Sequence, residues 1–333
     1  MNSACHTRIQ TVLSGETPDR PAFALWHHFP EADRSPEELA AATVAFAHAW
    51  RPDLIKHTPN GMYAVEDWAR LFADQPSLDV DPDVVPYALN LPIDWRRIAK
   101  LATTEGALAR ELGCLRRVCE EIGEEFPVYM TVFGPLTLAG KLAGPGVADA
   151  MHENPDELHE ALKTITETMV EFTIAVREAG ADGLYFATQY ASELLLTGQE
   201  HEVFGAPYDR AVLEAWDEPA SVILHLCGGD IFFDLCNTYP VGAVSWDHGI
   251  SKPSFSEAFD QTDCVVVAGM EEQQFPLSVD TVYRQARESL GFSHGQRHIL
   301  APTCVIPSGS NDLSLQAVLD AVKNHRAPGG NPG

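Results

Sequence analysis

"SVILHLCGG", residues 221–229, is the stretch whose reading decides the fold. From Val222 to Leu226 every residue but His225 is apolar. A strand with one solvated face alternates apolar and polar side chains. A short run without that alternation is how a strand covered on both faces reads, as in a parallel sheet flanked by helices. Gly228 and Gly229 end the run.

Seven other stretches have the same character: "AFALW" (22–26), "DLIKH" (53–57), "PVYMTVF" (127–133), "GLYFAT" (183–188), "VGAVSW" (241–246), "CVVVAG" (264–269) and "HILAPTCV" (298–305). Helical periods lie between them, at 35–50, 108–123, 154–180, 207–216, 254–261, 279–291 and 314–325. Ser35, Pro36 and Glu38 form a capping-box pattern at one start; Asn154 and Gly180 stand as cap and stop of another. Eight strands alternating with helices predict a single-domain (β/α)8 TIM barrel over 1–326. The stretch 58–126 exceeds one crossover and predicts extra helices between strands two and three, in position to cover one end. The tail 327–333 reads as disordered.

The chain has 333 residues, of which 45% are hydrophobic, enough for one large core. Its 22 basic and 48 acidic residues give a formal charge of −26, which disfavours nucleic acid and anionic membranes as partners. No apolar run is long enough for a membrane span or a signal peptide. Seven cysteines, an odd number, predict reduced thiols and a cytoplasmic location. A homodimer is compatible with the sequence, which does not fix the oligomeric state.

In a barrel of this type the chemistry sits at the C-terminal ends of the strands. His225 and Cys227 close the fifth strand and, two apart, point the same way. Cys304 closes the eighth. One imidazole and two thiolates suit Zn²⁺, and three protein ligands leave a fourth position for substrate. The plain alternative is that all three are core residues at strand ends, since free cysteine is among the most buried residue types. Cys236 and Cys264 read that way.

Other strand ends carry candidates with two readings each. His27 and His28 face either the barrel mouth or a loop partner. His57, followed by Asn60 and Tyr63, is a candidate for substrate contact or for orienting a ligand. Gln189 and Tyr190 either hydrogen-bond substrate or cap a helix. Asp247 orients a ligand histidine or caps the next helix. Glu271 or Glu272 is a displaceable fourth ligand or one of a solvated pair.

"LHLCGG", "TCVIPSGSNDLSLQAVLDAV", "GPLTLAG" (134–140) and "RIQTVLSGETPDRPAFALW" together resemble the uroporphyrinogen decarboxylase superfamily over nearly the whole chain. Within it the His-x-Cys … Cys pattern is similar to the zinc methyltransferase branch. That resemblance implies Zn²⁺ held by His225, Cys227 and Cys304, a small thiol substrate, methylcobalamin as co-substrate and a separate corrinoid-binding protein as partner. The decarboxylases differ at two places. Their arginine-rich segment after strand one reads here "WHHFPEADR", and their aspartate after strand two falls in "KHTPNGMYAVED", with no carboxylate near the strand end. A lyase acting on a smaller carboxylate, and a barrel that only binds a ligand, are the rival readings.

Overall fold

A computed structural model describes residues 3–72, 89 and 93–325. Its eight parallel strands are β1 (Ala22–Phe23), β2 (Ile55–His57), β3 (Val128–Phe133), β4 (Gly183–Thr188), β5 (Val222–Leu226), β6 (Ala243–Trp246), β7 (Val265–Met270) and β8 (His298–Pro302). They hydrogen-bond in the order β1-β8-β7-β6-β5-β4-β3-β2. A parallel bridge between Ala24 and Leu54 joins β1 to β2, so the sheet closes on itself. The sequence expectation of a (β/α)8 barrel holds.

Each strand alternates between two cores. On β5, Val222, Leu224 and Leu226 face outward into the shell of helices, while Ile223 packs inside with Trp26, Leu54, Tyr129 and Tyr185. Both faces are therefore dry, which is why the strands read as continuous apolar runs.

The helices fall close to their expected places, among them Pro36–Trp50, Gly106–Ile122, Pro155–Glu178, Val279–Ser293 and Asp312–Asn324. Ser35 accepts from the Glu38 N–H at 3.3 Å, one arm of the expected capping box. Asn154 occupies the cap position without a capping side-chain bond, and Pro155 sets the first turn instead. Gly180, at φ +99°, ends that helix in a conformation that favours glycine. An N-terminal helix, Ala4–Leu13, lies where the sequence reading placed none.

Between β2 and β3 the described residues form short helical turns at Tyr63–Val65, Glu66–Ala69 and Trp95–Arg97, then the helix Gly106–Ile122. The remainder of the expected insertion, and the tail 327–333, lie outside the described residues. Among the described residues no helix is long and apolar enough to cross a membrane.

Candidate functional site

Strand periodicity carries His225 inward at the top of β5, and the strand's pairing with β4 continues one step further through Cys227 N–H to the Thr188 carbonyl at 3.1 Å. Cys304 arrives differently. Ile299 and Ala301 face the interior, so strict alternation would turn Cys304 outward. Instead β8 ends at Pro302, the chain bends, and the Trp26 indole N–H holds the Cys304 carbonyl at 2.9 Å.

Two cavities open at this end of the barrel, of about 530 and 460 Å³. Six residues line both: Gln189, His225, Cys227, Glu272, Gln273 and Cys304. The expected metal-ligand set thus stands in the wall between two chambers. The first chamber adds His28, Asp33, Lys56, Asn60, Lys141 and Tyr185. The second adds Tyr190, Asp247 and the leucine pair Leu194 and Leu195, with Ile250. A third cavity, of about 520 Å³, lies at the opposite end beside the N-terminal helix and contains none of these groups.

The donors are tuned by burial. Burial, helped by Lys56, pushes His225 down to about 3, so its ring is neutral and has lone pairs to offer. Ser245 Oγ lies 3.3 Å from His225 Nδ1, which leaves Nε2 for the cavity. Burial and the neighbouring Cys304 push Cys227 up to about 12, and burial raises Cys304 as well. Burial thus favours the neutral thiol at both. One neutral imidazole and two sulfurs are a donor set that suits Zn²⁺. Among the described residues no three His, Cys, Asp or Glu side chains are already gathered into a ligating cage.

The other candidates divide. His28 lines the first chamber, and burial holds it down to about 4. Asn60 lines it too, with Nδ2 donating to Asp33 Oδ2 at 3.0 Å. That contact brings a carboxylate to the end of β2 from the loop after β1, where the sequence alone showed none. Gln189 lines both chambers and Tyr190 the second, and the Gln189 N–H donates to Thr137 Oγ1. Glu272 faces both chambers and accepts from the Thr303 hydroxyl; Glu271 lines neither.

Three expectations change. Asp247 lines the second chamber but accepts from the Gly249 N–H at 2.9 Å, and Ser245 is the residue beside the His225 ring. Tyr63 is 1% exposed, donates to the Thr131 carbonyl at 2.8 Å and lines neither chamber. His57 points to the outer face of β2, fully buried, with no partner among the described residues for either ring nitrogen.

The residue that β2 does turn inward is Lys56, which sequence reading missed, as it missed Lys141. Both are buried, and desolvation lowers each to about 8. Among the described residues, the groups whose ionisation would favour the Lys56 ammonium are the Cys304 and Cys227 sulfurs. The available signal was a lysine at the inward period of "DLIKH", where a core strand otherwise has no use for one.

A model of the uroporphyrinogen decarboxylase (URO-D) family matches residues 8–325. The chain belongs to the URO-D family. Two curated relatives are 22% and 23% identical, each covering 98% of this chain and 94% of its own length. Both are methylcobamide:CoM methyltransferases named MtbA, from Methanosarcina acetivorans and Methanosarcina mazei. The resemblance to the methyltransferase branch of the URO-D family, expected from the sequence, is therefore found. Among solved structures, a methyltransferase from Methanosarcina mazei superposes with a TM-score of 0.79 at 20% identity, over 97% of this chain and 99% of that one. A B12-independent methionine synthase from Shewanella gives 0.57 at 12% identity, over 92% and 95%. These superpositions show that this URO-D family member shares their barrel fold.

Proposed function

We propose that this protein is a corrinoid-linked methyltransferase that moves a methyl group between methylcobalamin, carried by a separate corrinoid protein, and a small thiol. The observation that carries the reading is that His225, Cys227 and Cys304 stand together in the wall shared by two chambers. A two-substrate transfer needs that arrangement: one reactive centre with access from two sides.

His225, Cys227 and Cys304 would hold Zn²⁺. Bound there, Zn²⁺ would lower the pKa of an incoming thiol and keep its sulfur anionic at neutral pH. Ser245 fixes the His225 ring so that Nε2 faces inward. Glu272, aimed at the same wall, is placed to occupy the remaining position weakly and to yield to substrate.

The chambers supply different chemistry. Lys56 and Lys141 in the first are buried cations with no carboxylate partner among the described residues, which suits an acceptor that carries a negative group beside its thiol. The relatives' name, methylcobamide:CoM methyltransferase, is in keeping with an acceptor of this kind. The second chamber has an apolar rim: Leu194 is 66% exposed, Leu195 49% and Ile250 60%. It suits the bulky face of a corrinoid presented by its carrier.

The test is consumption of methylcobalamin by the purified, zinc-loaded protein in the presence of coenzyme M, 3-mercaptopropionate or an uncharged thiol. The reading expects methyl transfer to the anionic thiols and no decarboxylation of uroporphyrinogen. Decarboxylation without methyl transfer would replace it with the lyase reading.

A further inference from the structure

Two of the cysteines that read as plain core lie far from the chambers. Cys264 immediately precedes β7, at the N-terminal end of the strands. Cys236 belongs to the short helix Leu235–Thr238, on the crossover after β5. The Cys264 sulfur lies 3.3 Å from the Cys236 carbonyl oxygen and 3.8 Å from that of Val241. The Cys236 sulfur lies 3.5 Å from Thr262 Oγ1, and Thr262 Oγ1 also accepts from the Cys264 N–H at 3.1 Å. The Cys264 sulfur thus lies directly against Cys236, and Thr262 Oγ1 touches both residues.

Their surroundings differ. Cys236 is 2% exposed, whereas Cys264 is half-buried and reachable from solvent. Proximity to Cys236 is the main influence lowering the Cys264 pKa, and the same proximity raises Cys236. Arg297, whose guanidinium donates to the carbonyls of Thr262 and Phe259, adds to the lowering at Cys264, while Asp263 opposes it. An accessible cysteine with a buried thiol against it is the arrangement of a reactive cysteine and its resolving partner.

We propose that Cys264 and Cys236 form a redox-active dithiol that closes to a disulfide under peroxide. The Cys264 thiolate attacks one peroxide oxygen, the O–O bond breaks, and hydroxide leaves and takes up a proton as water; Cys264 becomes a sulfenic acid. The Cys236 sulfur then attacks the Cys264 sulfur, the S–O bond breaks and a second water leaves. Two thiols are oxidised by two electrons and one hydrogen peroxide is reduced to two waters. A dithiol reductant reverses the change. This proposal is independent of the methyl-transfer reading, because neither residue lines a chamber.

The experiment treats the full chain with one equivalent of hydrogen peroxide and maps its cysteines by peptide mass spectrometry. A Cys236–Cys264 cross-linked peptide that dithiothreitol removes is expected. In Cys236→Ala the sulfenic acid should persist at Cys264 and be trapped by dimedone. Alkylation of Cys264 by iodoacetamide at pH 7 should slow about tenfold in that variant, because the thiolate fraction falls when the neighbouring thiol is lost. Peroxide that leaves both thiols free, or takes Cys264 of the native chain to sulfinic acid with Cys236 still reduced, overturns the proposal. So does an alkylation rate unchanged by Cys236→Ala.

Discussion

Lys56 Nζ sits 4.1 Å from the centre of the Tyr185 ring, with the Trp26 ring at 5.4 Å. A buried ammonium over aromatic faces gains part of what it loses in hydration. Among the described residues it has no carboxylate partner and lies close to the sulfurs of Cys227 and Cys304. A chain of formal charge −26 has thus placed a buried positive group beside its candidate reactive centre, and Lys141 adds a second in the same chamber.

Replacing either lysine by methionine keeps volume and removes charge. Lys56→Met or Lys141→Met should raise KM for an anionic thiol by roughly tenfold or more, since one charge-assisted contact is worth about 1.5–3 kcal/mol. An uncharged thiol should be affected little. Steady-state kinetics with the two acceptors side by side checks this, and an equal loss for both would show that the lysines only maintain packing.

Ser245 is the residue beside Nδ1 of His225. Partners that orient a ligand histidine typically contribute about 10–100-fold to metal affinity. Ser245→Ala should weaken zinc binding by about tenfold while the thermal unfolding temperature of the metal-free protein stays nearly constant. Competition with a chromophoric chelator measures it.

Gly140 lets the Tyr190 ring lie against the helix Pro135–Ala143; a Cβ there would fall inside that ring. Gly140→Ala should cost about 1–3 kcal/mol as an overpacked contact. Tyr190→Ala in the same chain should recover most of it, so the two changes are non-additive. Denaturant unfolding of both single variants and the double variant provides the comparison.

Asp209 is buried, accepts from the Tyr239 hydroxyl at 3.1 Å, and is pushed up to about 7 by desolvation. Its unfolded value is about 3.9. Between about pH 4 and pH 7 the folded state therefore holds the proton that the unfolded state has lost. Stability is complete below that window, falls as pH rises through it, and stays reduced above it. The ceiling is about 4 kcal/mol at ~1.36 kcal/mol per unit. Asp209→Asn should unfold at higher temperature than the native chain at pH 8 and show little or no advantage at pH 4. Thermal melts across pH test the sign.

Much of this site was legible in the sequence because strand periodicity is regular. His225 and Cys227 share one face of β5, and that was enough to place them. Cys304 was found by its position near a strand end, yet alternation would have turned it away; the bend after Pro302 and the Trp26 hydrogen bond bring it in. The reading of β2 missed by one residue. Histidine drew attention as the chemically richer type, but the period turns Lys56 inward and His57 outward. Asp33 and Asn60 meet across two loops, a tertiary contact that no local pattern records. The dithiol was hidden for the same reason: Cys236 and Cys264 are distant in sequence, and each alone reads as core.

The most direct test of the central claim is zinc K-edge X-ray absorption of the protein with and without an anionic thiol acceptor. The account predicts one zinc with one nitrogen and two sulfur neighbours from protein, the sulfurs at about 2.3 Å, and a third sulfur at that distance once the thiol is added. Cys304→Ser should remove one sulfur from both spectra. A shell that holds no protein sulfur, or a thiol that is methylated without ever entering the zinc shell, would contradict it.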